Sequence, residues 1–136
     1  MELSSGRIES TRERQTYLVE AERDADTIRR LLEPRRAFAA YALGQLEPDL
    51  FALTHWWTAK GSGGRGLVLY SRGGLGDALF AMGDAHAVQA ILRLHPGPRA
   101  LYATCQPEHL PVLRQHCWPP NTRLLLLVGS TQRLVR

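Results

Sequence analysis

Residues 51–84 read FALTHWWTAKGSGGRGLVLYSRGGLGDALFAMGD, and the alternation inside this stretch decides the fold. Over Phe51–Ala59, Phe51, Leu53, His55 and Trp57 fall on one face of an extended chain. Ala52, Thr54, Trp56 and Thr58 fall on the other, because successive strand side chains point to opposite sides. Two adjacent tryptophans therefore place apolar demand on both faces, the pattern of a sheet covered on both sides. Gly61–Gly66 is a glycine-rich loop, Leu67–Tyr70 an apolar strand, Arg72–Gly76 a second turn and Ala78–Met82 a third strand. Strand-like runs joined by short glycine-containing segments signal hairpins, so the three strands are predicted to form an antiparallel meander.

On the N-terminal side, residues 1–15 are polar without a period and read as a tail, and Thr16–Glu20 has the β-branched and aromatic content of a strand. Asp24 or Asp26 can cap a helix running through Leu32, with Ile28, Leu31 and Leu32 on one face. Pro34 ends it. A second helix, Arg35 to about Leu46, directs Phe38, Tyr41, Ala42 and Leu46 inward until Glu47-Pro48-Asp49 breaks it. On the C-terminal side, Asp84 is an N-cap for a helix carrying Ala87, Val88, Ala90, Ile91 and Leu94, stopped by Pro96-Gly97-Pro98. Ala100–Thr104 is a strand. A 3₁₀ turn at Pro107 leads into a short helix through His116, and Arg123–Val128 is an apolar strand suited to burial on both sides. Residues 131–136 read as a C-terminal tail. The order β-α-α-β-β-β-α-β-α-β describes one mixed α/β (α+β) domain over residues 16–130, with helices on both faces of a mixed sheet. A right-handed crossover makes Ala78–Met82 and the strand near Ala100 parallel neighbours.

The 136 residues are 44% hydrophobic and 22% charged, which fits a globular domain and argues against wholesale disorder. The longest strongly apolar run, Leu124–Val128, is far below the roughly 18 residues of a membrane span, and MELSSGRIESTRERQ has no apolar segment of a secretory signal. The expected setting is cytoplasmic, without a membrane partner. Net charge is +4, and Lys60 is the one lysine among seventeen cations. Arginine forks suit phosphates, which raises nucleic acid as a partner. The arginines are spread among acids rather than clustered with aromatics, so that reading is disfavoured.

No complete catalytic signature is present. Arg72-Gly73-Gly74-Leu75-Gly76 lies between two strands and opens no helix, so it lacks the context of a phosphate loop. Cys105, His109, His116 and Cys117 carry metal-ligand chemistry, but their spacing matches no usual zinc pattern. A buried cysteine pair and solvent-facing histidines are expected instead, with no metal. His55, Trp57 and Tyr70 are the candidate ligand-pocket residues, and His55 with Tyr70 could serve as base and acid. The competing reading makes Trp56 and Trp57 packing anchors and His55 a sheet-face residue. No residue is assigned a catalytic or cofactor-binding role.

The element order, together with the phrases FAAYALGQLEP, HWWTA, GLVLYSRGG, ALFAMGD and ATCQPEHLPVLRQ, resembles the GNAT acetyltransferase superfamily. More specifically it is similar to the degenerate N-terminal half of two-domain members, over about Thr16–Val128. Active members hold the acetyl-CoA pyrophosphate on an Arg/Gln-x-x-Gly-x-Gly/Ala loop at a strand-to-helix junction. The equivalent place here is Ala81-Met82-Gly83-Asp84-Ala85-His86, with one glycine and a carboxylate where the pyrophosphate would sit. The resemblance implies a domain without its own acetyl-CoA cofactor that packs with a GNAT catalytic domain, or with itself, and helps shape an acceptor site. The alternatives are a divergent N-acyltransferase using acetyl-CoA on an amine, and a basic nucleic-acid-binding module.

Overall fold

The computed structural model describes residues 5–9, 16–72, 77–97, 102–115, 124–128 and 131–135. Among the described residues, eight strands form one mixed sheet in which spatial order equals chain order. They are β1 (Ser5–Glu9), β2 (Thr16–Glu22), β3 (Thr54–Gly61), β4 (Gly64–Ser71), β5 (Ala78–Gly83), β6 (Tyr102–Cys105), β7 (Leu124–Val128) and β8 (Thr131–Val135). The β1 to β5 pairings are antiparallel, β5–β6 and β6–β7 are parallel, and β7–β8 is antiparallel. Strands at Ser5–Glu9 and Thr131–Val135 stand where the sequence suggested tails. Each pairs through backbone hydrogen bonds with its chain neighbour, which a polar side-chain pattern does not advertise.

The helices are α1 (Ala25–Leu32), α2 (Ala40–Gly44), α3 (Pro48–Phe51), α4 (Ala85–Leu94) and α5 (Leu110–Arg114). They divide between the two faces. On one, Ile28 and Leu32 of α1 and Ala42 of α2 join Phe38, Ala39 and Leu46 over Trp56, Leu67, Leu69 and Phe80. On the other, Ala87, Val88, Ile91 and Leu92 of α4 and Leu113 of α5 cover Val19, Ala59, Val68, Tyr70, Leu79 and Ala81. The run Leu67-Val68-Leu69-Tyr70 alternates strictly between these cores, and all four side chains are buried. Trp56 and Trp57 also divide between the faces, Trp56 buried and Trp57 half-buried.

Three further sequence expectations are corrected along the middle of the chain. The first strand of the meander starts at Thr54 rather than Phe51, because Pro48 occupies the first turn of α3, where its fixed φ and missing N–H carry no penalty. The Phe51 carbonyl accepts the Thr54 hydroxyl at 2.7 Å, and that hydroxyl oxygen accepts the buried Trp56 indole N–H at 2.7 Å. The expected loop Gly61–Gly66 is a two-residue hairpin turn: Gly61 pairs with Gly64 and Lys60 with Arg65. In the second helical segment only Ala40–Gly44 is an α-helix. Ala39 and Ala42 point inward, and Tyr41 is 38% exposed. The chain turns at residues 36–39, so Phe38 and Tyr41 do not share a continuous helical face.

Gly66 lets α4 approach the sheet. A Cβ there would lie 2.8 Å from Ala87 Cβ and 3.0 Å from the Val88 nitrogen. Gly83 adopts φ 101°, a conformation that side chains disfavour, as β5 turns into α4. Among the described residues no helix is long and apolar enough to cross a membrane.

Candidate functional site

The junction of β5 and α4 is closed by its own backbone. Asp84 is the N-cap residue: its Oδ2 accepts the Ala87 N–H at 3.0 Å, as expected of a carboxylate beside unpaired first-turn donors. The same oxygen accepts the Tyr17 hydroxyl at 2.9 Å, and the Asp84 N–H donates to the Arg65 carbonyl at 2.8 Å. Asp84 thus fastens α4 to β2 through its carboxylate and to the β3–β4 hairpin through its backbone N–H.

His109 completes this junction and is fully buried, which corrects the solvent-facing expectation. Its Nδ1 accepts the Gln106 N–H at 3.2 Å, so Nε2 carries the proton and donates to the Gly83 carbonyl at 2.8 Å. Burial lowers its pKa, with the Gly83 hydrogen bond and the nearby acids Glu108 and Asp84 opposing. The imidazole is a structural clasp between the 3₁₀ turn Pro107–His109, just ahead of α5, and β5. Cys105 is buried, and its thiol is pushed up to about 12 by burial and then by Glu108. Such a thiol is a poor nucleophile and a poor ligand. His116 and Cys117 lie outside the described residues. No group of three His, Cys, Asp or Glu able to hold a metal occurs among the described residues.

The three candidate pocket residues share one sheet face but not one cavity. His55 sits directly opposite Tyr70 in the β3–β4 register, and Trp57 is two residues along from His55. β2 ends opposite Trp56, so Thr54 and His55 pair with β4 alone. At that open end lies a cleft of about 510 Å³ walled by Phe51, Trp56 and Trp57, with His55, Glu22 and Arg23 at its polar edge. Tyr70 is not part of this lining. Its ring lies under Gly97, and its hydroxyl donates to the carbonyls of both His95 and Pro96 at 2.8 Å. Burial raises its pKa above the usual phenol range. The hydroxyl is thus engaged by two backbone carbonyls rather than by exposed His55.

His95, which the sequence reading passed over, is the residue that connects these parts. Its ring stacks on Trp57 at 3.6 Å between centroids with an 11° tilt, while its carbonyl receives Tyr70. Its Nε2 is buried without a hydrogen-bond partner, and burial lowers its pKa. Its position just after α4, before Pro96-Gly97, made it resemble a helix-ending residue.

A second groove, of about 260 Å³, opens on the α1 face beside the hairpin. Leu67 and Met82 form its floor, Glu20 and Glu22 stand on the β2 side, and Lys60 and Arg65 on the hairpin side. The signal for it was present in the sequence. Reading Gly61-Ser62-Gly63-Gly64 as a tight turn would have set Lys60 opposite Arg65 on one face.

Compared with known proteins, the chain matches no family model, no curated protein and no solved structure.

Proposed function

We propose that this chain is a GNAT-like accessory domain that packs with a catalytic acetyltransferase domain or a second copy of itself, helps shape an acceptor site, and does not bind acetyl-CoA on its own. The reading rests on the family resemblance of the sequence. The observation that carries it is the capped helix start at Asp84. A pyrophosphate at a helix N-terminus needs free N–H groups and the positive end of the helix. Here the Ala87 N–H is occupied by the Asp84 carboxylate, and the Asp84 N–H by the Arg65 carbonyl. A phosphate at this position would compete with a carboxylate covalently fixed there and would meet its negative charge. His109 supports the same reading, because its donation to the Gly83 carbonyl ties the 3₁₀ turn Pro107–His109 across the junction.

Isothermal titration of the full chain with acetyl-CoA tests this reading. No saturable heat is expected at millimolar cofactor, and a micromolar dissociation constant would overturn it.

A further inference from the structure

We infer that the groove between α1 and the β3–β4 hairpin binds a small zwitterion, an ammonium and a carboxylate carried on a short apolar body, of which an α-amino acid is the simplest example. The strand register sets out the charges. Lys60 lies directly opposite Arg65 across the hairpin. Like charges in this relation destabilise a strand pair unless an anion lies near both. Glu20 lies opposite Thr58, one diagonal step from Lys60. That step is roughly 7–8 Å between α-carbons. Among the described residues, no hydrogen bond or ion pair engages the Glu20 carboxylate, the Lys60 ammonium or the Arg65 guanidinium. Glu22 is engaged through one oxygen, which accepts the Asp24 N–H at 3.2 Å.

The groove therefore has an anionic wall on β2 and a cationic wall on the hairpin, unpaired with each other, above an apolar floor of Leu67 and Met82. A dianion would satisfy the cations but meet the glutamates. A diamine would do the reverse. A zwitterion oriented with its carboxylate toward Lys60 and Arg65 and its ammonium toward Glu20 satisfies both walls, and its apolar body covers the floor. The volume of about 260 Å³ is below the roughly 300–1,000 Å³ typical of drug-sized ligands, so a metabolite-sized molecule is the fit. The groove opens on the face opposite α4 and is not lined by Asp84 or Ala87, although Arg65 and Gly83 border both, so titrations with leucine and with acetyl-CoA read different sites.

The test is calorimetric titration of the full chain with leucine, leucine amide, N-acetyl-leucine and inorganic phosphate. Leucine is expected to bind saturably. The amide lacks the carboxylate and N-acetyl-leucine lacks the ammonium, and each is expected to bind at least about tenfold more weakly, the loss of one charge-assisted contact. Lys60→Ala with Arg65→Ala should weaken leucine but leave the amide unchanged, whereas Glu20→Gln should weaken leucine and leave N-acetyl-leucine unchanged. Lys60 and Arg65 are exposed and Glu20 is half-buried, so circular dichroism of each variant should match the parent. Absence of saturable leucine binding, equal affinity for the half-analogues, phosphate binding as tight as leucine, or affinity indifferent to these substitutions would overturn the inference.

Discussion

Replacing Asp84 by alanine removes two contacts made by one oxygen, the cap to the Ala87 N–H and the acceptor of the Tyr17 hydroxyl. Loss of an N-cap costs about 1 kcal/mol, with a range of roughly 0.5–2. A hydrogen bond to a charged acceptor contributes about 1.5–3 kcal/mol, and Tyr17 is fully buried, so bulk water does not replace its partner cheaply. Asp84→Ala should therefore cost about 2–5 kcal/mol, a large part of the roughly 5–15 kcal/mol that stabilises an ordinary domain. Tyr17→Phe should cost about 1.5–3 kcal/mol, because it removes the shared hydrogen bond and leaves the cap. Asp84→Asn, which keeps an acceptor in place, should cost about 1 kcal/mol. The decisive measurement is a double-mutant cycle by urea unfolding of the parent, both single variants and the double variant. The expected coupling is about 1.5–3 kcal/mol, the shared hydrogen bond, because the second substitution removes a bond already lost. Additivity of the two single effects within about 0.3–0.5 kcal/mol would refute the view that one carboxylate joins β2 to α4.

Stability should decline on mild acidification. Burial holds the pKa of His95 and His109 below the ordinary histidine value of 6.5, so the unfolded chain binds more protons than the folded chain as the pH falls through that value. The urea midpoint should fall as pH drops below about 6.5 and level off only once the folded-state histidines are protonated. A midpoint that is flat or rises across this window would contradict the assignment. Two glycines should respond in opposite senses. Gly66→Val would drive a branched side chain into Ala87 and the α4 backbone, costing about 1–3 kcal/mol or more. Gly44→Ala, with nothing within 4 Å of the added carbon, should stabilise α2 by up to about 1 kcal/mol. Unfolding curves of the two variants check both signs.

Much of the architecture was legible because it rests on local periodicity. The two-faced demand of Trp56-Trp57, the apolar strand Leu67–Tyr70, the cap at Asp84 and the 3₁₀ turn ahead of α5 each follow from residues within a few positions of one another. Of the two aspartates the sequence offered as caps, Asp24 and Asp26, it is Asp24 that accepts the Thr27 N–H, at 3.2 Å. The errors fell where a local pattern had two readings. Phe51 and Leu53 continue the strand alternation of His55 and Trp57, yet Pro48 starts a helical turn that absorbs Phe51. His109 follows Gln106-Pro107-Glu108 like a surface histidine, yet the 3₁₀ turn Pro107–His109 sets it on the carbonyl of Gly83, 26 residues earlier.

By itself, then, the sequence determined the mixed sheet with helices on both faces, and the cap at Asp84, because side-chain alternation and helix-end chemistry are short-range. Only the tertiary structure decided which groups share a site. Hairpin closure set Lys60 opposite Arg65 with Glu20 one strand away, and the chain's return after α4 laid His95 on Trp57 and its carbonyl over Tyr70. Those juxtapositions depend on register and on backbone segments that meet across the sheet. A one-residue slip in the hairpin would send every such side chain to the opposite face, and no local pattern of apolar and polar residues encodes the partner it would then meet.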